Sequence, residues 1–113
     1  MTLGEQQRLF TRLIADLVVW AYNNGFELTY GDAYRDKRVF GYFGSSQGYG
    51  RARSLHKMRL AVDFNLFING VYQRSTDAHR PIGEQWESMH HLCAWGGRFD
   101  DGNHYSMTRD GYR

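Results

Sequence analysis

The chain has 113 residues, enough for one domain with a single apolar core and too few for two. Its net charge of +2 with neutral histidines favours anionic polymers such as nucleic acid or bacterial wall without naming one. A single cysteine, Cys93, excludes an internal disulfide and any cysteine-based zinc finger.

From the N-terminus, Thr2 and Glu5 have the spacing of a capping box, and Phe10, Leu13, Ile14, Leu17, Val18 and Ala21 recur at helical intervals. These predict a helix over about 5–23, stopped at Asn24-Gly25. The apolar run "LIADLVVWAY" contains Asp16 and lacks the flanks of a leader or a membrane span. "FELTY" follows as a short strand. Residues 31–53, rich in Gly, Ser, Arg and Tyr, show no period and predict a long loop.

"RSLHKMRLAVDF" (53–64) leads into a predicted strand over Leu60–Ile68, in which Asp63 sits among Leu60, Val62, Phe64 and Leu66. A buried carboxylate is costly unless a cation or metal holds it. Asn69-Gly70 predicts a type I′ hairpin with "VYQ" returning antiparallel. After Pro81 a second helix is expected over about 83–93, with Ile82, Trp86, Met89 and Cys93 on one stripe. Cys93 then reads as a buried small hydrophobe. The closing "WGGRFDDGNHYSM" reads as a glycine-broken strand and turn region. The sum is an α+β domain, a small antiparallel sheet packed with two main helices.

His56 and Asp63 are seven positions apart, about 23 Å if fully extended. An odd separation also places them on opposite faces of an uninterrupted strand. Sharing one ion therefore requires "HKMR" to be a turn or bulge that leaves His56 outside the strand. In "DDGNHYS", Gly102-Asn103 suits a tight turn that would aim Asp101 and His104 into one pocket. Two histidines, one aspartate and a nearby free acid have the composition of a catalytic zinc centre. The competing account of Asp63 is a salt bridge to Arg51 or Arg53; that of Asp101 is its neighbour Asp100, or both as a solvated turn. His79, His90 and His91 read as surface or hydrogen-bonded residues, and His90-His91 is not a ligand pair because adjacent helical positions do not face each other.

Ser54-x-His56, Ala61 and Asp63, followed by Asp101-x-x-His104, resemble the core pattern of the M15 peptidases. These are zinc D,D-carboxypeptidases and L-alanyl-D-glutamate endopeptidases of bacterial wall peptides, many of them phage endolysins. "WGGRFDDGNHYS" resembles the family's closing segment, and "GDAYRDK" its upstream arginine stretch, with Arg35 as the match and Arg38 as the rival. The resemblance spans about residues 26–107. It implies a D,D-peptidase-like (Hedgehog-like) fold and a single peptidase domain over 1–113. Zinc would be held by His56, Asp63 and His104, with Asp101 as general base and then acid. Arg35 would serve catalysis and, with Ser54, bind substrate.

The family's glycine three residues after the first histidine is Arg59 here. Either Arg59 adopts a turn conformation or the loop differs. Asp101, in place of the carboxypeptidases' glutamate, favours the endopeptidase branch, with a D,D-carboxypeptidase as the alternative. A non-catalytic wall-binding or virion-associated module and a metal-dependent nuclease complete the readings. The expected partner is the peptidoglycan stem peptide, with no nucleic acid and no membrane insertion, for a monomer resembling prophage endolysins. Such a chain would accumulate in the cytoplasm of the producing bacterium and reach the wall after a separate protein permeabilises the membrane.

Overall fold

The computed structural model describes residues 1–31 and 55–113. The predicted loop over 31–53 thus lies almost wholly outside the described residues, as do Arg35, Arg38, Arg51, Arg53 and Ser54.

Helix α1 spans Leu3–Asn23. Its capping box is formed: Glu5 N donates to Thr2 Oγ1 at 3.1 Å, and Thr2 N donates to Glu5 Oε1 at 2.8 Å. Phe10, Ile14, Leu17 and Ala21 bury the predicted stripe, and Gln6 extends it by one turn. Gln6 is buried because both ends of its amide are satisfied: Nε2 donates to the Thr108 carbonyl, and Oε1 accepts from Arg109.

Among the described residues, five strands follow: β1 (Glu27–Tyr30), β2 (Ala61–Ile68), β3 (Val71–Gln73), β4 (Cys93–Trp95) and β5 (His104–Met107). All pairings are antiparallel, in the order β1-β2-β5-β4, with β3 paired to the far half of β2. The β2–β3 hairpin has Asn69 at φ 51° and Gly70 at φ 76°, the two positive angles a type I′ turn demands.

Helix α2 spans Thr76–Met89, not 83–93. Ser75 caps it, accepting from Ala78 N at 3.1 Å. Pro81 lies inside the helix, where it forgoes one intrahelical bond and does not start the helix. His90 is extended, so Cys93 belongs to β4 and not to the helical stripe. Its burial is as expected, and it pushes the thiol up to about 12. His90 and His91 lie beyond the helix, and their rings stack at 4.4 Å, so the reason given for keeping them apart does not apply.

Helices α1 and α2 cover one face of the sheet. On that face lie Val62, Phe64 and Leu66 of β2, Tyr105 and Met107 of β5, and Trp95 of β4, all at most 2% exposed. Phe10 meets Trp86 edge-on at 5.8 Å, joining α1 to α2. Trp86 Nε1 donates to the Ser106 and Ala94 carbonyls, fastening α2 to β4 and β5. Among the described residues, no helix is long and apolar enough to cross a membrane.

Candidate metal centre

Side chains alternate along β2. The apolar set Val62, Phe64 and Leu66 points into the core, and Asp63 stands on the opposite face. The acid is therefore not among its sequence neighbours. Directly across the ladder, Asp63 pairs with His104 of β5, so both side chains project from the same face, opposite the one that α1 and α2 cover.

His56 reaches that face by the required reversal. Leu55–Met58 form a 3-10 turn, closed by Arg59 N to the His56 carbonyl and by Leu60 N to the Leu55 carbonyl. Arg59 takes φ 56°, the left-handed conformation in which a glycine would be unstrained. The substitution keeps the turn. Fully buried Leu55 anchors the turn in the core, and Gln7 of α1 donates to the Met58 carbonyl at 2.8 Å.

On the other side, the segment from β4 to β5 is shaped by Trp95. Its indole is wedged between α2 and the 3-10 turn Gly96–Phe99, and a Cβ on Gly83 or Gly97 would come within 2.1–2.2 Å of the ring. Trp95 Nε1 donates to the Gly102 carbonyl at 2.7 Å. Asp100 turns left-handed at φ 62°, and His104 N donates to the Asp101 carbonyl at 3.1 Å. Phe64 N donates to the Asn103 carbonyl, locking this turn to β2. A Cβ at Gly96 would meet the Asp101 carbonyl at 2.1 Å and His104 Cβ at 2.7 Å, so the tryptophan-glycine segment is what lets the acid and the histidine lie together.

The result is one cluster. Ligand atoms of His56, Asp63 and His104 all lie within 4.8 Å of one another, close enough to hold one metal ion. His56 Nε2 is 3.2 Å from Asp63 Oδ1, and His104 Nδ1 is 3.5 Å from the same oxygen. Donors around a tetrahedral ion with bonds of about 2 Å stand about 3.3 Å apart, so these spacings fit such an ion. His104 Nε2 is buried with no hydrogen-bond partner among the described residues, so the ring is positioned by packing, in part by Phe99 at 5.7 Å.

Asp63 is 15% exposed. Burial opposes its ionisation, but His104 and His56 together outweigh that and hold its carboxyl down at about 2. The cluster therefore presents a carboxylate at neutral pH. Asp101 stands beside it, with Oδ2 4.0 Å from His104 Nδ1, and its side chain is 40% exposed. Two histidines and a carboxylate on one ion, with a solvent-reached acid alongside, are the parts of a hydrolytic metal centre.

Tyr105 is fully buried on the core face, and burial drives its hydroxyl well above the ordinary phenol range. Tyr30 is 65% exposed. Of the two readings open for His79, surface or hydrogen-bonded, the second holds: it is 3% exposed, with Nδ1 2.8 Å from the Tyr105 hydroxyl. Its place on the buried stripe with Ile82 and Trp86, three and seven positions on, was the available signal; the helix start drawn after Pro81 hid it.

These residue types in this arrangement suit a metal-dependent hydrolase. The family model described as D-alanyl-D-alanine carboxypeptidase matches residues 47–107. The chain belongs to the M15 peptidases. No curated protein matches it.

Proposed function

We propose that this chain is a zinc-dependent peptidase of peptidoglycan, a single domain over 1–113 that hydrolyses an amide bond of the stem peptide. The observation that carries the reading is the convergence of His56, Asp63 and His104 from two strands and a turn, with Asp101 beside them.

His56, Asp63 and His104 are the residues that would hold the ion. Zinc bound there supplies Lewis acidity, acidifying a water and polarising the scissile carbonyl. Asp63 contributes the negative charge that offsets the cation, and its depressed proton affinity keeps that charge in place. Asp101 is exposed enough to meet substrate. It takes the proton of the attacking water and returns it to the departing amine. In the family pattern Arg35 and Ser54 hold the substrate, with Arg35 also offsetting charge at the reacting carbonyl.

The bond cut is proposed as L-alanyl-D-glutamate, on the strength of aspartate at position 101. The carboxypeptidase description of the matching family favours the second reading, cleavage of the terminal D-alanyl-D-alanine bond. Mass analysis of purified peptidoglycan digested with and without chelator separates them. Fragments split after L-alanine support the first reading and loss of one terminal D-alanine the second. Intact wall under zinc-replete conditions overturns both.

A further inference from the structure

Asp101 also borders a polar notch of about 240 Å³ in the gap between β3 and β5, lined by Arg74, Thr76, His79, Asp100 and Asn103 among others. Its floor is His79 of α2. The hydrogen-bond accounting there fixes a tautomer. Tyr105 is fully buried, and its hydroxyl meets one polar partner among the described residues, His79 Nδ1 at 2.8 Å. Were Nδ1 the protonated nitrogen, the Tyr105 O–H would be a buried donor with no acceptor, a costly arrangement. The satisfied arrangement has Tyr105 donating to Nδ1. His79 then carries its proton on Nε2, and its imidazole is part of the lining of the notch.

We propose that His79 is a substrate-binding residue, whose Nε2–H donates to a main-chain carbonyl oxygen of the stem peptide on one side of the cleaved bond. The charges around the notch select a neutral acceptor. Arg74 is opposed by Asp100 and Asp101, so a substrate carboxylate would face net negative charge, whereas an amide carbonyl needs only the donor. Because Asp101 is shared between notch and metal centre, a peptide engaged with one has its neighbouring residue at the other. The inference rests on the peptidase reading for its ligand.

The test is made on the zinc-loaded full chain with a synthetic stem pentapeptide. Nitrogen-resolved NMR of the His79 imidazole is expected to show a protonated Nε2, with its signal moving as peptide is added. A protonated Nδ1, or an Nε2–H signal unmoved by peptide, overturns the proposal. In kinetics, the paired change His79→Leu with Tyr105→Phe removes the donor and the stranded hydroxyl together. Relative to Tyr105→Phe alone it should raise KM about tenfold at unchanged kcat. His79→Gln, which restores an amide N–H near the same place, should recover most of that. Unchanged KM, or an equal loss in kcat, contradicts it. Hydrolysis with an unmoved His79 signal removes this inference alone. A moving signal without hydrolysis removes the peptidase reading and leaves the notch.

Discussion

Asp63 and Asp101 are both aspartates within reach of His104, yet their surroundings give them different work. Asp63 is nearly enclosed, and two imidazoles hold it ionised; Asp101 is open to solvent at the rim. Asp101→Ala should accordingly retain bound zinc and lose hydrolysis by about 10²–10⁴-fold, the usual weight of a general acid–base group. Metal analysis beside a turnover assay checks this, and retained turnover would remove Asp101 from the mechanism. His79 gives a prediction for stability. Burial lowers its pKa from 6.5 to about 4, so the fold favours the neutral ring. That contribution is complete above pH 6.5 and is lost as pH falls towards 4, where the unfolded chain binds a proton that the folded chain does not. The loss by pH 4 should be on the order of 2–3 kcal/mol, and His79→Gln should abolish that part of the slope in urea unfolding. An identical slope in the variant would contradict it.

The turn at 55–59 and the segment from Trp95 to His104 decide whether the ligands meet. Arg59 occupies a left-handed position, so Arg59→Gly should be tolerated while Arg59→Val, with its branched Cβ, costs about 1–2 kcal/mol relative to glycine. Gly83→Ala should destabilise by about 1–3 kcal/mol, because its Cβ would enter the Trp95 ring. Denaturant midpoints of the purified variants check both; an unchanged midpoint for Gly83→Ala would contradict the wedge. These elements also show how far the sequence could be read. The capping box, the α1 stripe, the Asn69-Gly70 hairpin and the need for a reversal before β2 were all legible, because each depends on local chemistry or strict periodicity. The start of α2 was not, since Pro81 resembles an N-terminal signal and Ser75, the actual cap, lies six residues earlier. The place of Asp63 was legible in its alternation with Val62 and Phe64, but which residue faced it was not. The Asp63–His104 pairing is a long-range register that no local pattern carries.

At the scale of the whole molecule, the sheet separates two tasks. One face is closed by α1 and α2 over Trp86, Trp95 and Tyr105; the other holds the ligand cluster. β2 belongs to both, which couples the ion to the fold. Zinc should therefore raise the thermal midpoint, and chelation should lower it reversibly, by an amount that grows with free metal concentration as mass action requires. A midpoint indifferent to metal would show that the cluster binds none.

Calorimetric titration of zinc into the chelator-stripped protein tests the central claim most directly when wild type is compared with the variant carrying His56→Ala and His104→Ala. One equivalent bound by the wild type and none by the double variant is the result predicted. A full equivalent in the double variant would contradict a metal centre built from residues 56, 63 and 104.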